Sequence, residues 1–227
     1  MTEGDPLVPS GEALPGPAAG EEPVEARIAD RVAQRGTPSG DAIERALREV
    51  SDIDLAVYRA VASTPSPSLD EPMRRLSNAA NRSALWLVLA GGLAVLGGRA
   101  GRRAALAGVA SIGVASATVN LGMKSLYPRE RPDRVGAGVV EDRHVTMPSS
   151  TSFPSGHSAS GFAFATAVGR EIPALAFPLR LLAGAVAYSR VHTGVHYPGD
   201  TVAGSLVGGA TGLVVGDALA RVRRRRG

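Results

Sequence analysis

The chain has 227 residues and a formal net charge of +4, but residues 1–71 hold 14 of its 21 acids and 6 of its 25 bases, and no acid occurs between Glu71 and Glu130. Cysteine is absent and only four histidines are present, which excludes a disulfide framework, a thiolate nucleophile and Cys-ligated metal. The basic part is also the apolar part, and aromatics make up 4% of the chain, so a membrane is a better partner than nucleic acid, which needs rings to stack on.

Residues 1–40 are rich in Pro, Gly, Glu and Ala without apolar periodicity, and read as a disordered acidic tail. They lack a basic region followed by an apolar stretch, so they are not expected to be a signal peptide. From Asp41 the pattern changes. Asp41 and Glu44 resemble a capping box, and Ile43, Leu47, Val50, Ile53 and Val57 recur at helical spacing, with a break allowed near Ser51 and Asp52. Ser63-Thr64-Pro65-Ser66-Pro67 ends this helix, and Asp70 to Asn81 predicts a second short one. Residues 41–82 are thus expected to be amphipathic and interfacial, a small soluble helical hairpin being the alternative.

Five apolar runs follow: Ser83 to Gly98, Ala104 to Met123, His157 to Gly169, Ile172 to Tyr188 and Thr201 to Ala220. Several fall short of the roughly 20 residues that span a bilayer. Their number nevertheless predicts an all-α integral membrane bundle of about five spans over residues 83–220, with a basic tail at 221–227. Gly204, Gly208, Gly212 and Gly216 form a stripe at period four, a spacing that lets helices approach closely. With five spans, Arg99, Arg102, Arg103, Arg170 and the arginines from Arg221 to Arg226 share one side, which the positive-inside rule makes cytoplasmic. The connections 124–156 and 189–200 then share the outer face. The same parity places Arg74, Arg75 and Arg82 awkwardly close to a membrane end on that face, so the side of the N-terminal region is left open.

Those two connections hold the polar residues that invite chemistry. Lys124 is the only lysine among 25 basic side chains, and Arg131-Pro132 follows it in the same loop. An ammonium and a guanidinium fork near a membrane surface make a good phosphate clamp. Phe153-Pro154-Ser155-Gly156-His157 precedes an apolar run, and the free N–H groups of that helix start favour an anion, although Ser155 as an ordinary cap would look the same. His196 and Asp200 stand four apart, so the carboxylate can fix the imidazole tautomer and leave the other ring nitrogen free to attack. Arg190 is either a third cation of the clamp or a residue snorkelling at the membrane edge. Adjacent carboxylates that could hold Mg²⁺ are missing from the apolar part, so phosphoryl transfer without metal or other cofactor is expected.

The ordered set Lys124-x6-Arg131-Pro132, Pro154-Ser155-Gly156-His157 and Ser189-Arg190-x5-His196-x3-Asp200 resembles the three-part signature of the type 2 phosphatidic acid phosphatase family, which includes bacterial acid phosphatases, glucose 6-phosphatase and vanadium haloperoxidases. The resemblance covers about residues 53–220. It implies that His196 attacks phosphorus to form a phosphohistidine, that Asp200 orients it, and that His157 protonates the leaving oxygen and then activates water. It implies further that Lys124, Arg131, Ser155, Gly156 and Arg190 bind the phosphoryl oxygens. The expected activity is hydrolysis of a lipid phosphate or diphosphate (phosphatidic acid, phosphatidylglycerol phosphate or a polyprenyl carrier) at the outer face of a bacterial plasma membrane. The competing readings are a vanadium-dependent haloperoxidase, because vanadate would fit the same clamp, and a non-catalytic protein that binds lipid phosphates or holds an unknown partner on its tail. Among the remaining polar residues, His144 is expected to be solvated, His192 to line the site or stand apart, Asp217 to pair with the arginines beside it, and Trp86 and Tyr127 to anchor at the membrane interface.

Overall fold

The computed structural model describes residues 40–225, so the acidic tail lies outside the described residues. Seven helices of more than one turn follow: α1 (Gly40–Ser63), α2 (Pro67–Ala79), α3 (Ala84–Leu96), α4 (Gly98–Leu126), α5 (Gly156–Glu171), α6 (Ala176–His192) and α7 (Pro198–Arg224). Among the described residues there is no strand. Residues from Val50 onward form one compact unit. The earlier residues form the other, of which the first turns of α1 are described, with an exposed Arg48–Glu44 ion pair one turn apart. The Asp41 side chain of the expected capping box lies outside the described residues.

Local chemistry sets the boundaries. α1 runs unbroken through Ser51 and Asp52, because neither residue removes a backbone donor. It stops where Thr64 turns its hydroxyl and its N–H onto the Ala60 carbonyl and Pro65 offers no N–H to continue. Pro67 opens α2 at its first turn. Between α2 and α3, Arg82 and Ser83 adopt left-handed backbone angles, φ 52° and 60°, and the two helices meet at 61°. Near the end of α4 a π-helical turn over Thr118–Met123 fits an extra residue into one turn, which re-aims the side chains that follow it, Lys124 among them.

The bundle is built around α5, which packs on α4, α6 and α7 and is buried along nearly all of Ser158–Gly169. Small residues make this possible. Each glycine of the α7 stripe is buried against α5: a Cβ on Gly208 would fall 2.2 Å from the Ala159 carbonyl oxygen, and one on Gly212 2.7 Å from that of Ala163. From the other side, Gly108 of α4 meets the Phe164 ring and Gly161 meets Trp86. Trp86 is fully buried, with its ring centroid 5.5 Å from that of Phe164. This corrects its expected place at the membrane interface: the indole fills a gap that the glycines of α5 leave open. Tyr127 is exposed, as an interface residue would be.

Three helical segments, α4, α6 with the 3-10 turn Pro173–Leu175 that leads into it, and α7, are long and apolar enough to cross a bilayer, and the bent α2–α3 pair passes the same test as one span. By length and composition alone the count is three, or four with the bent pair. α5 has 16 residues, about 24 Å at 1.5 Å per residue, and faces other helices rather than lipid, so neither its length nor its composition is set by the bilayer. At the far end of the bundle Arg170 pairs with Asp217 and Arg223 with Glu171. Asp217 is thus tied across to α5 and not to its own neighbours, because at that helix end the facing arginine is closer than the adjacent ones.

Candidate active site

The polar end of the bundle gathers all three motifs. Lys124 stands in the last turn of α4, Arg131 in the loop that follows, His157 in the first turn of α5, His196 between α6 and α7, and Asp200 in the first turn of α7. The loop returns through Ser150, Thr151 and Ser152 to a cis Phe153–Pro154 bond just before α5. The backbone N–H of Ser155 donates to the Asp200 carbonyl at 2.9 Å, which joins the starts of α5 and α7.

His196 is 2% exposed, and its two ring nitrogens have different neighbours. Nδ1 lies 3.3 Å from Asp200 Oδ2 and 3.4 Å from Ser152 Oγ, while Nε2 lies 3.3 Å from Arg131 Nη1. Since a guanidinium only donates and a carboxylate only accepts, Nδ1 carries the proton and Nε2 presents its lone pair. Burial, reinforced by Arg131 and Arg190 and opposed by Asp200, pushes the imidazole down to about 4, so it is neutral at neutral pH.

Asp200 is fully buried and saturated with donors. Oδ2 also accepts from the Ser152 hydroxyl and from the Tyr197 backbone N–H at 2.9 Å, while Oδ1 accepts from Arg129 Nη1 at 2.8 Å. Arg129 reaches Asp54 of α1 with its other terminal nitrogen, also at 2.8 Å, and lies over the Tyr197 ring at 4.0 Å. Burial works against its charge, yet Asp200 and Asp54 outweigh it and hold its pKa above the usual guanidinium value. Sequence reading missed Arg129, Asp54 and Ser152. No spacing marks them, although Pro-Arg-Glu beside the Arg131-Pro132 motif put a second arginine within reach.

A cavity of about 170 Å³ opens beside His196, with Lys124, Arg131, Gly156 and His157 in its wall. Arg131 is fixed by donating to the carbonyls of Ser150 (2.8 Å), Val195 (2.7 Å) and Thr151 (3.3 Å). Burial lowers its pKa, and Asp200 offsets part of that loss. The Ser150 hydroxyl accepts from Lys124 Nζ at 2.9 Å and from Arg131 Nη2 at 3.4 Å, so a neutral oxygen sits between the two cations. Across the cavity, His157 Nε2 lies 3.0 Å from Asn81 Oδ1, an oxygen that only accepts, so Nε2 carries a proton.

Two expected phosphate ligands stand behind this wall. Ser155 is fully buried, and its Oγ accepts from Ser158 N–H at 3.4 Å and from the Ser158 hydroxyl at 3.1 Å, as a helix cap. Arg190 is buried too, its guanidinium donating to the Ser77 hydroxyl of α2. It contributes charge near His196 more than a surface to the cavity. His192 stands apart in a second buried cluster: Nε2 is 2.9 Å from Asp70 Oδ1, which also accepts from Arg143 Nε at 2.7 Å. Arg143 in turn donates to the Thr64 and Val61 carbonyls at 2.7 and 3.1 Å, binding the α1–α2 turn to the loop. His144 is half-buried, with Nε2 3.0 Å from the Val139 carbonyl, rather than solvated. Among the described residues no three His, Asp or Glu side chains converge as a metal-ligand set.

An imidazole held by a carboxylate, a second imidazole across the cavity and two cations in the same wall are the kinds of group that phosphoryl transfer uses. A family model described as the PAP2 superfamily matches residues 104–223, and the chain belongs to that superfamily as a membrane phosphatase. It is 35% identical to the decaprenylphosphoryl-5-phosphoribose phosphatase of Mycobacterium tuberculosis over 80% of this chain and 99% of that one. It is 37% identical to the protein of the same name from Mycolicibacterium smegmatis, over 66% of this chain and 78% of that one. The fold is shared with the transmembrane PAP2-type phosphatidylglycerolphosphate phosphatase of Bacillus subtilis, with TM-score 0.61, 22% identity and coverage of 77% and 88%. It is also shared with Aquifex aeolicus LpxE, with TM-score 0.55, 24% identity and coverage of 72% and 94%.

Proposed function

We propose that the protein hydrolyses a phosphate monoester carried by a membrane lipid, through a covalent phosphohistidine on His196. The observation that carries this reading is the His196 ring itself, with Nδ1 held on Asp200 and Nε2 facing the cavity beside Arg131. In the first step the Nε2 lone pair forms the N–P bond and the ester P–O bond breaks. Burial and the neighbouring cations hold the His157 pKa down to about 2, the incoming phosphate dianion offsets those cations, and the imidazolium so formed gives its Nε2 proton to the leaving oxygen. In the second step His157 takes a proton from water as the water oxygen attacks phosphorus, and the N–P bond breaks to release inorganic phosphate. Asp200 stabilises the imidazolium character of His196 in between. Lys124 and Arg131 meet the charge on the equatorial oxygens, with the N–H groups at Gly156 and His157 on a helix start, and buried Arg190 adds positive potential. These cations take the role that a metal ion has in other phosphatases.

The lipid and the membrane face are part of the same proposal. The cavity is walled by residues on or next to helices that also expose Val88, Leu106 and Leu121, an apolar surface on which the chain of a lipid can lie while its headgroup enters. The opposite end of the bundle carries Arg170 and Arg221 to Arg225, and the positive-inside rule favours an outer-face site in the plasma membrane. The full-length likeness to phosphatases of decaprenylphosphoryl-5-phosphoribose favours a polyprenylphosphoryl sugar phosphate as substrate. The test is phosphate release by purified protein in detergent with EDTA. The panel comprises phosphatidic acid, phosphatidylglycerol phosphate, polyprenyl diphosphate and decaprenylphosphoryl-5-phosphoribose, each with wild type and His196→Ala. Release lost in the variant supports the reading; no release from any lipid, or equal release by the variant, overturns it.

A further inference from the structure

Several polar groups in the cavity wall take no part in the phosphoryl machinery, and Arg82 is the charged one among them. Arg82 is exposed, and among the described residues its guanidinium has no ion-pair partner, unlike Arg129, Arg143 and Arg170. It is also held in an unfavourable way. Arg82 and Ser83 are the only non-glycine residues with positive φ among the described residues, and such angles persist where the surroundings over-determine them, often at ligand sites. The strain fixes the α2–α3 bend over the cavity mouth, where the neighbouring Asn81 touches His157 at 3.0 Å.

That contact brings the residue next to Arg82 against His157, and Arg82 lines the same cavity as His157. Resting on the mechanism above, His157 serves the leaving oxygen, so the wall that continues from Asn81 to Arg82 faces the leaving group and not the transferred phosphoryl. Lys124 and Arg131 are already committed to the equatorial oxygens of the transferred phosphoryl. A free guanidinium on the leaving-group side, in a cavity with few apolar side chains, matches a second anion. We propose that Arg82 reads a negatively charged phosphodiester in the leaving group and makes the enzyme selective for lipids that carry both a terminal phosphate monoester and an internal diester.

The experiment compares kcat/KM for phosphatidylglycerol phosphate, whose leaving group bears a phosphodiester, with that for phosphatidic acid, whose leaving group is uncharged. Arg82→Gly keeps the left-handed backbone and removes the guanidinium; Arg82→Lys keeps a charge. Wild type is expected to prefer phosphatidylglycerol phosphate. The preference ratio should fall about tenfold or more in Arg82→Gly, as for loss of one charge-assisted hydrogen bond, and be largely kept in Arg82→Lys. An unchanged ratio in Arg82→Gly, or equal behaviour of the Gly and Lys variants, would overturn the proposal while leaving the phosphatase reading intact. Loss of all turnover in wild type would instead sink that reading.

Discussion

Arg129 and Asp54 lie 75 positions apart in sequence and 2.8 Å apart in space, and through this contact the amphipathic helix α1 is joined to the carboxylate that orients His196. Asp54 also accepts from the Gly199 N–H at 2.6 Å, in the first turn of α7. Arg129 thus determines which oxygen of Asp200 is left for the histidine. Arg129→Ala is expected to lower kcat about tenfold or more with little change in KM, since a charge-assisted hydrogen bond contributes about 1.5–3 kcal/mol. Asp54→Asn should act in the same direction and more weakly. Steady-state kinetics checks this split, and an effect confined to KM would assign Arg129 to substrate binding instead.

His196 titrates low because it is buried among cations. The sign follows: its neutral form is favoured in the folded protein, so the ring stays unprotonated as pH falls through the ordinary histidine value. An imidazole NMR titration in detergent micelles should place its midpoint well below 6.5, near 4. Over the same window an unfolded chain binds a proton that the folded one does not, so acid costs stability there. A midpoint at or above 6.5 would show that Asp200 outweighs burial.

Lys124→Arg conserves charge and is still expected to cost at least about tenfold in kcat/KM. The ammonium reaches Ser150 as a point donor at 2.9 Å, and a planar fork cannot take that place beside the guanidinium of Arg131 without moving it. Turnover within a factor of about two of wild type would show that only the charge matters.

Gly208 and Gly209 provide a paired test of the bundle. A Cβ on Gly208 would meet backbone atoms of Ala159, whereas one on Gly209 would meet nothing within 4 Å. Gly208→Ala should therefore lower the thermal midpoint in detergent, with a cost of about 1–3 kcal/mol for overpacking. Gly209→Ala should be neutral or slightly stabilising.

The Asp70–Arg143–His192 cluster is a structural clamp, and Arg143→Ala should destabilise the protein by about 3–5 kcal/mol, because it leaves a buried carboxylate with one partner fewer. Thermal unfolding monitored by circular dichroism reads this. Retained stability with altered kinetics would give the cluster a role in turnover.

What the sequence shows of this site depends on spacing. His196 and Asp200 are legible because four residues separate them, and Lys124 because no other lysine competes for attention. The glycine stripe is legible for the same reason: a period of four is a helix face. His192 is not, since its partner Asp70 is 122 positions away, and neither is Arg129, whose two carboxylates come from opposite ends of the chain. Trp86 misleads because an indole between apolar residues reads alike at a membrane boundary and against a glycine-lined helix.

Ser150 gives the site one more property. With its hydroxyl lodged between Lys124 and Arg131, the cleft comes with a resident guest, and an arriving ester must evict it. Departing inorganic phosphate meets the same rival from behind. An internal acceptor of this kind competes with substrate and product alike for the same two cations.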